Sequence, residues 1–300
     1  MPAAASARGL TSVVVVTADS GAIVRECVQR VLASSAAVEL VLVDNASTDG
    51  EPETVLAGHA GDARLRMLHN ARNLGFGTAC NRGAALARGD ALLFLNPDCL
   101  LEADTIERLR GVLARHADAG LVGVCVEDGN GRPERAVHRR EPTLRRSLMT
   151  LSGLARFERR FPALAGVAVP AGTDDPGEIG VEAVSGACMF LPRAAFDAVG
   201  GFDEGYFLHA EDLDLCRRLR DAGWKVLLAG GIRVRHEQGS SSRHRAGFVA
   251  RHKQRSLWRY FTRHDPAARN PLLRACVCIG LVLHHLAGMP RRAWRRRRGS

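Results

Sequence analysis

Five short polar clusters in this 300-residue chain have residue types suited to chemistry on a charged leaving group. Leu93-Phe94-Leu95 is apolar and stops at Asn96-Pro97-Asp98. Pro97 cannot donate to a sheet ladder, so a strand must end or leave the sheet there. Asp98 is then presented at a strand's carboxyl edge, where open α/β sheets bind ligands. A carboxylate so placed suits a divalent metal and, through it, a diphosphate. Asp44-Asn45-Ala46-Ser47-Thr48-Asp49-Gly50 also follows an apolar run. Asp44 could accept from the imide N–H of uracil or thymine, while Ser47, Thr48 or Asp49 would cap a helix. Arg72-Asn73-Leu74-Gly75-Phe76-Gly77 joins a cation for phosphate to glycines that permit backbone approach to a ligand at a helix start. Glu211-Asp212-Leu213-Asp214 sets three acids at another helix start, where the dipole favours them. The aromatic and apolar run from Phe202 to Ala210 would bury the approach and raise a carboxylate toward base strength. His236, just after the last strand, could ligate a metal or donate to a diphosphate.

These clusters need a scaffold, and the apolar pattern predicts one. Val13-Val14-Val15-Val16, within a strand over Thr11 to Thr17, has the β-branched composition of a buried parallel strand. Ile23 to Ala33 has helical spacing; strands follow at Glu39 to Val43 and Leu65 to His69. An Ala-rich helix over Gly77 to Arg88, a strand over Ala91 to Leu95, a helix over Glu102 to His116 and a strand over Leu121 to Val126 complete the first half. This alternation predicts an α/β fold with a doubly wound, mostly parallel sheet flanked by helices. Each early strand ends in polar residues: Thr17 and Asp19, Asp44 and Asn45, Asn70 to Asn73, Asn96 and Asp98. A site spread along one carboxyl edge is the expectation.

From Glu127 to about Glu182 the pattern breaks into a long excursion. It holds an arginine-rich patch (Arg132, Arg135, Arg139, Arg140, Arg145, Arg146) and a helix near Thr143 to Phe157. Such excursions in compact domains are lids or binding loops, or are disordered. Order resumes with a strand over Ala183 to Leu191, helices over Arg193 to Val199 and Glu211 to Ala222, and a strand over Val226 to Ala229. Two helices, Arg243 to Thr262 and Pro271 to Arg298, read as lying outside the sheet.

The composition narrows the function classes. An apolar fraction of 46% suffices for a sizeable core. The net charge of +10 is concentrated in the arginines between Arg291 and Arg298, so the body is only mildly basic. That distribution, with 5% aromatics, argues against nucleic acid as a partner. Eight cysteines include no C-x-x-C, and no charged n-region precedes an apolar h-region at the start, so a reducing, cytoplasmic setting is expected. Thr17-Ala18-Asp19-Ser20-Gly21 is no dinucleotide fingerprint, and the only lysines are Lys225 and Lys253, so phosphate must be held without a Walker lysine. A metal on carboxylates is the natural substitute.

Taken in order, Asp44-Asn45-Ala46-Ser47-x-Asp49-Gly50, Arg72-Asn73-x-Gly75-Phe76, Asn96-Pro97-Asp98, Glu211-Asp212-x-Asp214 and His236-x-x-Gly239-x-Ser241 resemble family 2 glycosyltransferases of the GT-A fold, over roughly residues 11 to 242. The resemblance runs toward the rhamnosyltransferase-like members that build bacterial surface polysaccharides. It implies an inverting, metal-dependent transfer of a sugar, rhamnose as the best guess, from a dTDP- or UDP-sugar to a hydroxyl of a glycan or polyprenyl-linked acceptor. It implies that Asp44 binds the base with Thr17 and Arg72 nearby, and that Asp19, Asn45, Asn73, Gly75 and Asn96 complete the nucleotide-sugar site. Asp98 would be the metal-binding end of a D-x-D motif, carrying Mg²⁺ or Mn²⁺. Asn96 replaces that motif's first acid, which raises the weight on His236 as second ligand. Asp212 would be the general base, with Glu211 adjacent. Gly186-Ala187-Cys188 and the loop from Asp203 to Tyr206 would shape the acceptor side.

The resemblance also implies a catalytic domain over 1–242, with a nucleotide-sugar half over about 11–126 and an acceptor half over about 127–242. Residues 243–300 are then a helical extension. Leu272 to Leu286 is apolar but interrupted by Arg274, His284 and His285, short of the roughly 20 clean apolar residues of a span. With Trp294 and the arginines beyond, residues 271–298 read as an interfacial helix on anionic lipid, which places the enzyme on the inner face of the plasma membrane. The competing readings are a sugar-1-phosphate nucleotidyltransferase, which needs a Gly-rich basic loop that Thr17 to Ala22 lacks, and a basic nucleic-acid-binding protein.

Overall fold

A computed structural model describes residues 7–134, 137–169, 177–237 and 246–283. The elements run β1 (Ala7–Thr17), α1 (Ile23–Leu32), β2 (Val38–Asp44), α2 (Glu51–Gly58), β3 (Leu65–His69), α3 (Phe76–Leu86), β4 (Gly89–Leu95), β5 (Cys99–Leu100), α4 (Thr105–Arg115) and β6 (Ala119–Glu127). They continue with β7 (His138–Arg139), α5 (Leu144–Leu151), two short 3₁₀ turns (Leu154–Phe157 and Pro162–Leu164), β8 (Glu178–Gly180), β9 (Ala183–Val184) and β10 (Cys188–Pro192). Then come α6 (Arg193–Ala198), α7 (Glu211–Asp221), β11 (Lys225–His236), α8 (Ala246–His264) and a helix over 271–283.

The main sheet has the order β3-β2-β1-β4-β10-β6-β11-β5, with β8 also on β11. Strands β3, β2, β1 and β4 are mutually parallel, so their carboxyl ends share one edge. Register sets Thr17 level with Asp44, and Asp44 level with His69. The expected doubly wound, mostly parallel sheet is present. Its one long antiparallel insertion, β10, lies between β4 and β6.

The valine run of β1 is buried on both faces because helices cover both. Val13 and Val15 join the core under α1, where Val24, Cys27, Val28 and Val31 repeat at helical spacing. Val14 and Val16 join the opposite core with Ala79, Cys80 and Ala84 of α3. Gly83 lets α3 sit close, since a Cβ there would meet Val14 Cγ1 at 2.5 Å.

Several expected boundaries shift. The stretch from Ala183 to Leu191 is two strands separated by the turn 185–187, and the last strand extends from Lys225 to His236 rather than stopping at Ala229. Parallel pairing with β6 carries β11 past Gly230 and Gly231 through a register shift. The N-cap of helix α2 is Gly50 in the left-handed region, and of Ser47, Thr48 and Asp49 it is Asp49, one residue earlier, whose Oδ1 accepts from Glu51 N–H at 3.1 Å. Six of the eight cysteines are buried thiols, whereas Cys276 and Cys278 are exposed. Among the described residues no helix is long and apolar enough to cross a membrane. Residues 284–300, with His284, His285, Trp294 and the terminal arginines, lie outside the described residues, as do Arg135, Gly239, Ser240 and Ser241.

Candidate active site

A cleft of about 430 Å³ opens at the carboxyl edge of the sheet. At one end it is lined by Val16, Ala18, Asn45, Asn73 and Gly75, and at the other by Asn96, Pro97, Asp98 and His236. Phe207, Leu208 and His209 form a wall, and Phe248 and Val249 of α8 close it.

Strand β4 ends at Leu95, one residue before Asn96-Pro97, and Cys99 restarts as β5 against the end of β11. That pairing sets His236 level with Cys99, so Asp98 Oδ1 and His236 Nε2 lie 3.0 Å apart. Asn96 Nδ2 lies 3.5 Å from the same nitrogen. The other ring nitrogen, Nδ1, lies 2.7 Å from Glu134 Oε1. Burial opposes charge on this imidazole, but the Asp98 and Glu134 carboxylates outweigh it and raise His236 to about 10.

Asp98, Cys99 and His236 present ligand atoms within 4.8 Å of one another. Cys99 is a poor member of that set, since burial pushes its thiol well up and it donates to Ala187 O at 3.4 Å. The carboxylate and imidazole fit a divalent ion, and Glu134 fixes the ring as carboxylates do behind metal-bound histidines. A second grouping, Asp44, Glu53 and His69, has two exposed members.

At the ends of β1 and β2, Asp44 is buried; its Oδ1 accepts from Ser47 N–H (2.8 Å), and Oδ2 lies 3.1 Å from His69 Nδ1. Thr17 is buried and bonded to Ser20 Oγ at 3.0 Å. Asp19 Oδ1 accepts from Thr48 N–H at 2.6 Å, tying the β1 and β2 loops together. Asn45 is a brace: Nδ2 donates to Asn73 Oδ1 (3.0 Å), and Oδ1 accepts from Asn70 Nδ2 and Leu74 N–H, each at 3.0 Å. Arg72 is exposed and stands outside this network. Gly75 borders the cleft, but its close approach is to protein: its Cβ would lie 2.5 Å from Phe207 O, which accepts from Phe76 N–H at 3.0 Å.

The acids at the start of α7 divide. Asp212 Oδ2 accepts from Gly186 N–H at 3.1 Å and pairs with Arg139, whose guanidinium is raised by that charge. Glu211 turns into the core, where burial first and then the Asp212 charge push its carboxyl up. Its Oε2 has no hydrogen-bond partner among the described residues. Asp214 is fully buried and serves the fold, bonded to Arg218 (2.6 Å) and to His264 of α8 (2.7 Å). The turn 185–187 joins the start of α7 to the loop after β4: Gly186 N–H donates to Asp212, while Ala187 O accepts from Asn96 N–H at 2.9 Å.

Among the described residues, positive φ at non-glycine positions occurs only at Asp19 (55°), Ala46 (63°), His209 (66°) and Ala210 (65°). All four lie in loops around the cleft, where stored backbone strain concentrates in working sites. Sequence reasoning missed Glu134 and the α8 wall, and reached Leu208 and His209 only as part of the run from Phe202 to Ala210. Arg139 sat unremarked within the arginine patch, most of which is engaged internally, Arg140 with Glu158 (2.9 Å) and Arg146 with Glu182 (2.5 Å).

This sheet, with an aspartate loop after β4 and an acidic helix start facing it, is the architecture of the GT-A glycosyltransferases. It matches the mannosyltransferase PcManGT of Pyrobaculum calidifontis, solved with GDP-Man and Mn²⁺, at a TM-score of 0.58 and 18% identity, over 94% of this chain and 72% of that one. It matches GalNAc-T7, solved with UDP, GalNAc and Mn²⁺, at a TM-score of 0.59 and 16% identity, over 83% of this chain and 51% of that one. The chain belongs to glycosyltransferase family 2: the model described as "Glycosyltransferase like family 2" matches residues 7–260. It is 33% identical over 253 residues to the N-acetylglucosaminyl-diphospho-decaprenol L-rhamnosyltransferase of Mycobacterium tuberculosis H37Rv, covering 80% of each chain. The protein is therefore a glycosyltransferase, and the nucleotidyltransferase reading falls away.

Proposed function

We propose that this glycosyltransferase moves rhamnose from a dTDP- or UDP-linked donor to a hydroxyl of a polyprenyl-diphosphate-linked glycan, with inversion, in cell-surface polysaccharide synthesis. The observation that carries it is the bridge through Gly186-Ala187, which holds the Asp212 carboxylate and the Asn96-Pro97-Asp98 loop on opposite sides of one dipeptide. The rhamnosyl and lipid-linked parts rest on the similarity to the mycobacterial enzyme. Residues 11–126 supply the donor half and 127–242 the acceptor half of a catalytic domain over 1–242.

Asp44, with Thr17 behind it and Asn45 and Asn73 bracing the next loop, receives the pyrimidine; Asp19, Arg72, Gly75 and Asn96 border the rest of the donor. Asp98 and His236 would hold Mg²⁺ or Mn²⁺, and a bound ion would supply positive charge for the departing diphosphate. Asp212 takes the proton of the acceptor hydroxyl as its oxygen bonds to the anomeric carbon from the face opposite the diphosphate. The bond from that carbon to the diphosphate oxygen breaks, and its electron pair leaves with the nucleoside diphosphate. A single displacement inverts configuration and needs no protein nucleophile. Residues 271–298 keep the enzyme at the membrane surface where such an acceptor lies, on its cytoplasmic side.

Thermal shift with Mn²⁺ and dTDP, UDP or GDP tests the donor site. Stabilisation that needs both metal and a pyrimidine diphosphate, and that disappears in Asp98→Ala and His236→Ala, is the expected outcome. A shift that is equal with GDP, or that persists without metal, would overturn it.

A further inference from the structure

We propose that the excursion over residues 144–161 is a lipid-facing surface that docks this enzyme on an anionic bilayer. Helix α5 buries none of its side chains. Leu148 and Leu151 lie on one stripe of it, and after the turn at Gly153 the apolar face continues through Leu154, Phe157 and Phe161. The exposure is large, 76% for Leu151 and 56% for Phe161. Apart from Leu56, Leu86 and Phe248, every exposed large hydrophobic side chain among the described residues lies here or within 272–283. An exposed apolar concentration of this kind marks an interaction surface.

Charge selects the occupant. Arg156 lies over the Phe157 ring at 4.6 Å and Arg160 over Phe161 at 6.0 Å, so cations stand beside the exposed rings. The one acid of the stretch, Glu158, is tied to Arg140 at 2.9 Å and to Gly166 N–H at 3.1 Å. Aromatic and leucine side chains flanked by arginines, with the acid neutralised, are complementary to anionic headgroups over hydrocarbon. The excursion is anchored at its base: Arg146 pairs with Glu182, and Leu144 N–H donates to Asp265 Oδ2 at 2.5 Å. Asp265 also begins the segment leading into the helix over 271–283, so two exposed apolar elements leave the body at one corner. The surface needs no donor or acceptor and stands apart from the transfer reading.

Vesicle pelleting of the full chain tests it, with phosphatidylcholine vesicles with and without phosphatidylglycerol. Wild type is expected to pellet with the anionic vesicles and to be released by salt. Leu151→Glu/Phe161→Glu and, independently, Arg156→Glu/Arg160→Glu should each lower the bound fraction about tenfold. Both should keep the wild-type melting temperature and its Mn²⁺/UDP response; if the first pair melts early, the arginine pair alone decides. Leu272→Glu/Leu283→Glu reports the other helix separately. Wild-type pelleting by both excursion variants, with loss only in Leu272→Glu/Leu283→Glu, would overturn the proposal. So would equal pelleting with neutral vesicles, or a dimer seen by light scattering that Leu151→Glu/Phe161→Glu dissolves without any vesicle binding. Loss of the Mn²⁺/UDP response with vesicle binding retained would count against the donor site alone.

Discussion

Asp212 and Glu211 are neighbours in sequence with opposite surroundings, and the proposal that Asp212 is the base rests on that difference. Asp212 is oriented by Gly186 N–H and Arg139 beside the turn that also carries the Asn96 contact. Glu211 has a buried oxygen without a partner, and burial favours its protonated form. Asp212→Asn keeps the shape and two acceptor contacts but cannot take a proton, so kcat should fall by about 10²–10⁴. Glu211→Gln should leave kcat within about tenfold of wild type and should not lower the melting temperature, because a neutral isostere removes a poorly solvated acid. Steady-state transfer assays on both variants check the pair. Normal turnover by Asp212→Asn, with collapse in Glu211→Gln, would move the base to Glu211.

At the scale of elements, the cleft depends on one close crossing. The start of α3 meets the loop before α7 where Gly75, at φ 87°, sits against the Phe207 carbonyl. Any Cβ there strains the backbone and strikes a carbonyl that cannot move without dragging His209 and Ala210. Gly75→Ala should lose roughly 2 kcal/mol or more in urea unfolding and weaken the Mn²⁺/nucleotide thermal shift. Wild-type values for both would show that the crossing yields. Helix α8 is fastened to the same region: Arg259 bonds Asp203 at 2.9 Å, Ser256 Oγ donates to Leu208 O at 2.9 Å, and His264 meets Asp214. The loop from Asp203 to Tyr206 is thereby set by a helix that follows it by some 40 residues in sequence.

For the molecule as a whole, buried acids tie together strands and helices distant in sequence. Glu39, 1% exposed, is bonded by Ser12 Oγ (2.6 Å), Arg88 and Arg66, and so joins β1, β2 and β3 to the start of β4. Burial works against the charge on Glu39, but the Ser12 hydroxyl and the Arg88 contacts outweigh it and hold the carboxyl below its usual range. Asp214 is likewise held down, burial being outweighed by His264 and Arg218. A depressed folded pKa contributes stability that is present above the unfolded value of about 4 and is lost as pH falls through the folded value. The urea midpoint should therefore fall as pH drops below about 4, and Glu39→Gln should flatten that fall. It should also cost roughly 2 kcal/mol at neutral pH, less than for a fully buried pair because both arginines are partly exposed. A midpoint that rises on acidification would contradict this assignment.

Sequence alone determined the alternating α/β order, the buried parallel strands and the edge that carries the polar clusters. The physical reason is local: a strand covered on both faces must be continuously apolar, so its chemistry can begin only where it ends, as at Thr17, Asp44 and Asn96. Pro97 marked its own strand end for the same kind of reason. Only the tertiary structure decided what meets those ends. Arg139 reaches Asp212 through the short β7–β9 pairing, and Glu134 reaches His236 across 102 residues of chain. The division of the three α7 acids among the Gly186 turn, the core and α8 depends on which neighbours pack there, as does the approach of Gly75 to Phe207. No local periodicity encodes such contacts, because they arise when loops of unpredictable path are closed by pairings distant in sequence.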